Sequence, residues 1–171
     1  MTKTTHLRSI LLAAAAAALP GAASAADRLG SFGDWAAYAD GKGKARTCWI
    51  YSEPKKDEGK YSKRGRIYVL VTHRPGEGTT NQVQFSAGYD YKEGSAVEVV
   101  IGTGKFQLFT KGDSAWARDK AGDDALVAAM RGGSEMIVTG VSSRGTATRD
   151  TYSLSGISAA HDAIGKACKV K

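Results

Sequence analysis

The chain has 171 residues, of which 42% are hydrophobic and 24% charged, and its formal net charge is +7 at pH 7. A chain of this length suits one domain built around one hydrophobic core. The positive excess suits adhesion to anionic surfaces but falls short of a dedicated nucleic-acid-binding protein, so we expect no nucleic-acid partner.

The amino terminus predicts a secretory signal peptide over residues 1–25. Lys3 and Arg8 precede an apolar run from Ile10 to Leu19, and Ala23-Ser24-Ala25 supplies the small residues that signal peptidase accepts. A membrane anchor is the alternative, but this run has only about half of the roughly 20 apolar residues that a spanning helix needs. The exported chain is therefore expected to begin at Ala26.

The remaining residues, 26–171, are expected to form a single β-rich domain without a membrane span. Apolar and polar residues alternate along most of this region, which is the period of half-buried strands. The clearest case is QVQFSAGYDY, from Gln82 to Tyr91. In chain order, the candidate strands are 34–39, 46–52, 66–73, 82–91, 96–101, 105–110, 135–142 and 149–154.

Glycine-containing turns separate most of these strands. They lie at residues 40–44, 75–81, 92–95, 102–104, 111–113 and 144–146. Connections this short join antiparallel neighbours, because a parallel pair needs a long crossover. The pattern predicts an all-β fold, either an antiparallel β-sandwich or a small barrel.

Two short helices interrupt the strand pattern. The first is predicted over residues 123–131, with acidic residues at its start and glycines after its end. The second is predicted over residues 158–167, with Ser158 as its N-cap and apolar residues recurring on one face. Both helices are expected to cover sheet edges or barrel ends.

The segment from Pro54 to Arg66 differs from the rest in charge, since it holds six basic residues and two acidic ones. With almost nothing to bury, it is predicted to be an exposed loop. Its cations are candidates for binding phosphate or carboxylate groups on an envelope or host-surface partner; the alternative is a solvated loop that aids solubility. The candidate residues are Lys55, Lys56, Lys60, Lys63, Arg64 and Arg66.

The stretch from Ser153 to Asp162 contains the residue types of a hydrolase triad. On a helix, however, His161 and Asp162 point about 100° apart, so the acid cannot orient the imidazole. Asp162 is expected to pair with Lys166 instead, and no G-x-S-x-G turn exposes a nucleophilic serine. Without a phosphate-binding glycine loop either, the sequence predicts no enzyme and no cofactor.

Other candidate site residues are isolated. His73 ends a predicted strand with no metal ligand at suitable spacing, which favours a polar surface position. Trp35, Trp49 and Trp116 are spaced as strand residues, so packing in the core or at an edge is expected rather than a ligand pocket.

Cys48 and Cys168 are the two cysteines of the chain. In an oxidising compartment such a pair indicates one disulfide, although two free thiols or an intermolecular bridge are alternatives. Alternation along residues 46–52 turns Cys48 to the same face as Ile50, and the second helix carries Cys168 on its apolar side. We predict a Cys48–Cys168 disulfide that ties the second predicted strand to the C-terminal helix.

Four segments together resemble the invasion-associated locus B family, a group of exported alphaproteobacterial proteins. They are FGDWAAYA, RTCWIYSEP, DDALVAAMRGG followed by SEMIVTGVSSRGT, and the ending DTYSLSGISAAHDAIGKAC. The resemblance implies an extracytoplasmic β-rich protein without a known catalytic site, from a family associated in some pathogens with entry into host cells.

We therefore expect a non-catalytic binding protein of the periplasm or cell surface, monomeric or weakly associated. The alternative is a small periplasmic enzyme or enzyme inhibitor acting on the cell envelope. A deep pocket that gathers His73 or His161 with a carboxylate and a hydroxyl would favour the alternative.

Overall fold

The structure is a computed structural model that describes residues 26–170, so the predicted signal peptide lies outside the described residues. The strands are β1 Asp27–Phe32, β2 Trp35–Asp40, β3 Thr47–Ser52, β4 Lys56–Gly59, β5 Tyr68–Arg74, β6 Thr79–Ser86, β7 Ala96–Ile101, β8 Gly104–Lys111, β9 Ser114–Trp116, β10 Glu135–Val141 and β11 Ala147–Ser153. The helices are α1 Lys120–Gly132, between β9 and β10, and α2 Ile157–Cys168, after β11.

The strands of residues 26–170 form one sheet in the order β1-β2-β3-β5-β6-β9-β8-β7-β10-β11-β4, and every neighbouring pair is antiparallel. Most pairs are neighbours in the chain because short turns join them. This arrangement confirms the prediction of an antiparallel β fold with two helices.

The sheet curls so that its two halves face each other. The rings of Phe85 on β6 and Tyr152 on β11 meet edge to face at 6.2 Å, although four strands separate β6 from β11 in the sheet order. At one end, Trp35 Nε1 donates to the Ser153 carbonyl at 3.1 Å and joins β2 to β11. The hydrophobic core lies between the two halves.

Alternation along the strands supplies that core. On β3, Cys48 and Ile50 are buried while Trp49 and Tyr51 face outward. On β5 and β7 the valines follow the same period. Burying these side chains removes apolar surface from water, which is the main driving force of folding.

Helix α1 begins three residues before its predicted start, and it ends at Gly132. Asp119 is its N-cap, because the Asp119 carboxylate accepts from the Gly122 amide at 2.8 Å. Leu126, Val127 and Met130 are buried on its inner face.

Helix α2 packs on β1, β2, β3 and β5. Its N-cap is Gly156, so the prediction that Ser158 is the cap is wrong. Gly156 has φ +91°, and a Cβ there would lie 2.0 Å from the Phe32 carbonyl oxygen. The close approach of the chain therefore requires glycine, and the Ser158 hydroxyl donates instead to the Arg131 carbonyl at 3.2 Å.

Several predicted strand boundaries were wrong. The strand predicted over residues 82–91 ends at Ser86, because Gly88 takes φ +70° and turns the chain. Sequence periodicity missed β1, the charged strand β4 and the three-residue strand β9. Strand β4 pairs only with β11, so its polar composition is that of an edge strand.

Neither helix of the described region has the length and apolar content needed to cross a bilayer.

Candidate functional site

The basic segment from Pro54 to Arg66 is not the simple exposed loop that its charge predicts. Residues 56–59 form β4 and pair with β11. The Arg64 side chain is only 3% exposed, so the prediction that it is a surface cation is wrong. The segment is therefore attached to the sheet by both backbone and side chain.

Arg64 holds this attachment through three hydrogen bonds. Its Nη1 and Nη2 atoms donate to the two carboxylate oxygens of Asp150, each at 2.6 Å, and its Nε donates to the Ala87 carbonyl at 2.6 Å. The guanidinium also lies 5.0 Å from the centre of the Tyr89 ring. Burial raises the pKa of the Asp150 carboxyl, and the Arg64 hydrogen bonds oppose that shift. This geometry uses the fork of donors that only arginine supplies.

A contact between two glycines fixes the same segment beside Arg64. The Gly65 amide donates to the Gly88 carbonyl at 2.8 Å. A Cβ on Gly88 would lie 2.5 Å from the Gly65 carbonyl oxygen, so the two backbones approach more closely than any side chain allows. The residues just before Gly65 thus have a fixed position.

Three of the predicted cations are engaged in local ion pairs. Lys55 pairs with Asp34, Lys56 with Glu58 at 2.8 Å, and Arg66 with Glu53 at 3.1 Å. All three cations are more than half exposed, and such pairs add little to stability. Their charges are nevertheless partly neutralised.

Lys60 and Lys63 lie together on a cleft of about 470 Å³, and Arg144 joins them from the β10–β11 turn. We call this feature, defined by Lys60, Lys63 and Arg144, the basic cleft. All three residues are exposed, and none makes a salt bridge to a described residue.

The walls of the basic cleft suit an anionic group. Asp90 is the one acidic residue among its described lining residues. Hydroxyls are frequent, and they come from Tyr61, Ser62, Tyr89, Ser142, Ser143, Thr146 and Thr148. Cations with hydroxyl neighbours can bind phosphate or carboxylate oxygens by charge-assisted hydrogen bonds.

Sequence reasoning found two of the three cations and missed Arg144. Residues 144–146 are predicted only as a turn, and they lie far from the basic segment in the chain. Antiparallel pairing of β4 with β11 is what carries this turn beside Lys60, which lies more than 80 residues earlier. A local signal for this contact does not exist in the sequence.

His73 and His161 lie together in a packed cluster. The rings of His73 and His161 meet edge to face at 5.2 Å, and Asn81 joins both. The Asn81 amide donates to His73 Nδ1 at 3.0 Å, and His161 Nε2 donates to Asn81 Oδ1 at 2.8 Å. Asn81 Nδ2 donates in turn to Asp124 at 2.9 Å. The cluster thereby connects β5 and β6 with both helices.

Both histidines are held neutral. Burial lowers the pKa of His73 to about 4, and the repulsion that a protonated His161 would exert acts in the same direction. Burial and Arg131 lower the pKa of His161, whose Nδ1 accepts from Arg131 Nη1 at 2.7 Å. His73 is fully buried, which corrects the prediction of a surface position.

This cluster does not assemble a hydrolase triad. Both nitrogens of His161 are occupied by Arg131 and Asn81, so neither is available to take a proton from a serine. Asp162 pairs with Arg131 at 2.9 Å, and the predicted pair with Lys166 is wrong. Of five surface clefts in the described structure, none is lined by His73 or His161.

Residues 26–170 contain no group of three or more His, Cys, Asp or Glu side chains placed to hold a metal ion. The three tryptophans lie where strand packing puts them. Trp35 is in the core, Trp49 stacks on Tyr38 at 5.7 Å, and Trp116 lies beside Phe109 on the outer face of the sheet.

Cys48 and Cys168 form a disulfide, as predicted. It joins β3 to the last residue of α2, and both cysteines are buried. The bridge spans 120 residues of sequence.

A curled antiparallel sheet, a disulfide-linked helix and a cleft rich in cations define a small β-rich domain with a surface suited to binding anions. A family model described as invasion associated locus B (IalB) protein matches residues 35–165, and the chain belongs to that family.

A solved structure shows the same fold. The crystal structure of invasion associated protein B from Bartonella henselae matches with a TM-score of 0.55 and 15% sequence identity, over 85% of this chain and 98% of that one. No curated protein sequence matches this chain.

Proposed function

We propose that this chain is an exported, non-catalytic binding protein of the periplasm or cell surface, and that its basic cleft binds anionic groups on an envelope or host-surface partner. The ligand class is phosphate or carboxylate displayed on such a surface. The protein needs no cofactor for this role.

The observation that carries the proposal is the basic cleft itself. Lys60, Lys63 and Arg144 face one concave surface without a salt bridge to a described residue. Three like charges brought together repel one another, and an anion would relieve that repulsion. Because Arg64 and the two facing glycines fix the backbone of the segment, little backbone entropy is lost when a ligand binds.

Export is supported by two independent features. Residues 1–25 have the charge, apolar run and small residues of a signal peptide. The Cys48–Cys168 disulfide is of the kind that persists in oxidising compartments. The family description and the name of the Bartonella protein both refer to invasion, which favours a host surface as the place of action.

Vesicle sedimentation tests the proposal. Residues 26–171 are mixed with phosphatidylcholine vesicles prepared with or without phosphatidylglycerol, whose phosphate is a probe for an anionic surface. Binding is expected only to the anionic vesicles and should weaken as salt rises, because the screening length is about 8 Å at physiological ionic strength.

The decisive variant replaces Lys60, Lys63 and Arg144 by glutamine. Each basic residue near an anionic surface contributes about 1 kcal/mol, so vesicle affinity should fall roughly a hundredfold. The matched control replaces Lys44, Lys105 and Lys166 by glutamine, which removes the same charge from exposed positions outside the cleft. Equal losses in the two variants would reduce the effect to net charge and contradict the proposal.

A further inference from the structure

A second concave surface lies on the outer face of the sheet and shares no lining residue with the basic cleft. It has a volume of about 690 Å³ and is bounded by the start of β6, the β8–β9 pair and the residues that lead into α1. Phe109 and Trp116 line it together with Gln82, Lys111 and Arg118. We call this surface the aromatic groove.

The two rings form a platform because of strand register. Phe109 on β8 lies directly opposite Trp116 on β9, and both side chains point outward. Their ring centroids are 5.8 Å apart and the rings are inclined by 31°, so they present two neighbouring faces rather than one closed stack. Phe109 is 36% exposed, and no other large apolar side chain of the described residues is as exposed.

The polar groups around this platform have unused hydrogen-bonding capacity. Gln82 Oε1 accepts from Arg74, and no described residue accepts from the Gln82 side-chain NH₂ group. Lys111 and Arg118 are exposed and make no salt bridge to a described residue. Donors and two cations therefore surround the aromatic faces.

The acidic residues of the groove are already engaged. Asp119 caps α1, and the Asp123 carboxylate accepts from the Val83 amide at 2.9 Å. Asp124, next in the chain, holds Lys120. Amide donors leave the charges of Asp119 and Asp123 in place, so these carboxylates offset part of the positive charge of the groove. Lys111 and Arg118, which have no described acidic partner, are the groups that would meet a negatively charged ligand.

This combination matches the chemistry of a saccharide better than that of a protein surface. A sugar ring presents C–H groups on one face, which suit the negative face of an aromatic ring, and hydroxyls around its edge. Protein interfaces have a contiguous apolar centre, whereas apart from glycine only Phe109, Trp116 and Ala117 are apolar in the lining of this groove.

We propose that the aromatic groove binds a segment of acidic saccharide. Sugar rings stack on Phe109 and Trp116, the Gln82 NH₂ group donates to ring hydroxyls, and Lys111 and Arg118 meet the carboxylates. This site is separate from the basic cleft and does not depend on the function proposed for it.

Titration calorimetry with trigalacturonic acid tests the proposal on residues 26–171, with neutral maltotriose as the second probe. We expect saturable binding of the acidic trisaccharide and weaker binding of the neutral one. Replacing Lys111 and Arg118 by glutamine should weaken the acidic ligand roughly tenfold and leave maltotriose unchanged, because only charge is removed.

The stacking contribution is tested by Phe109→Leu with Trp116→Leu, which keeps apolar side chains on both strands but removes the rings. Affinity for both trisaccharides should fall roughly tenfold or more, as expected for lost aromatic stacking. Trp49→Leu is the matched control, since Trp49 lies on the same outer face but outside the groove. Circular dichroism establishes that each variant folds.

Two results would overturn the proposal. One is the absence of saturable trigalacturonate binding below about 10 mM. The other is unchanged affinity in the folded double-leucine variant, which would leave the aromatic pair as a cross-strand contact that only stabilises the sheet. Because the basic cleft is itself proposed to bind carboxylates, the titrations are repeated on the variant with Lys60, Lys63 and Arg144 replaced by glutamine. Trigalacturonate binding that persists in this variant belongs to the aromatic groove, which shares no lining residue with the cleft, so failure of one site is distinguishable from failure of the other.

Discussion

At the scale of single residues, the buried Arg64–Asp150 pair is the polar contact whose loss should lower the free energy of unfolding most. Both side chains are at most 5% exposed, and removing one partner leaves a buried charge without compensation. The pair also positions the segment that carries Lys60 and Lys63, so its loss should affect the basic cleft as well as stability.

Arg64→Met is expected to lower the free energy of unfolding by about 3–5 kcal/mol, because Asp150 then remains buried and unpaired. Combining it with Asp150→Leu should restore much of the loss. Urea denaturation followed by fluorescence measures both changes. Arg66→Met is the control, since its exposed ion pair should hardly move the midpoint. A single mutant as stable as the wild type would show that the pair is dispensable.

Asp123 and His73 give stability opposite dependences on pH. Burial raises the pKa of Asp123 from 3.8 to about 6, so its contribution is full below pH 3.8 and is lost as pH rises through about 6. The pKa of His73 falls from 6.5 to about 4, so its contribution is full above pH 6.5 and is lost as pH falls toward 4. The two effects offset each other between about pH 4 and 6.5.

Asp123→Asn should therefore make stability rise more steeply with pH across this window, because only the histidine effect remains. Urea midpoints measured from pH 4 to 7 on the wild type and the variant provide the comparison. Parallel pH profiles would mean that the Asp123 carboxyl titrates normally in the folded protein.

At the scale of secondary-structure elements, the disulfide is the strongest constraint on α2. It closes 120 residues of sequence, for which loop-closure entropy gives somewhat under about 5 kcal/mol, and native disulfides typically contribute about 2–5. That is a large share of the total stability of a small domain.

Cys48→Ser with Cys168→Ser should lower the melting temperature markedly, and a reductant should lower that of the wild type by a similar amount. Differential scanning calorimetry with and without reductant measures both. The double mutant should not respond further to reductant, which serves as the internal control. An unchanged melting temperature would show that packing alone holds α2 on β1–β3.

The sequence predicted elements where local pattern and burial agree. Residues 96–101 were predicted without error because their alternating valines fill the core. Strand β4 was missed because KDEG has no apolar face, and only its pairing with β11 makes it a strand. The buried position of Arg64 was missed for the same reason. Its partner Asp150 lies far away in the chain, and no residue near Arg64 in sequence indicates that the two meet.

At the scale of the whole molecule, the antiparallel class and the disulfide were predictable, whereas the basic cleft was predictable only in part. Turn chemistry and alternation are local, so they are readable from sequence. The curl of the sheet and the meeting of residues 60–63 with the 142–146 turn depend on contacts far apart in the chain. Those contacts have no local signature.

Export is the property of the whole chain that is most directly tested. If residues 1–25 are a cleaved signal peptide, the protein recovered from the periplasm or culture medium of its host should begin at Ala26. Intact mass measurement of that fraction, with an Ala25→Asp variant expected to accumulate uncut, checks the cleavage site. A recovered protein that still begins at Met1 would refute the prediction.

The position of α2 on β1, β2 and β3 also governs the kinetics of folding. These strands precede α2 by roughly the separation of the two cysteines, 120 residues. Helix α2, which packs on them, is therefore synthesised long after the strands. Contacts between segments so distant raise the contact order and slow folding. The first hairpins are therefore expected to gain stable packing only after α2 has been synthesised, and a chain in that state would suit passage through a narrow secretion channel.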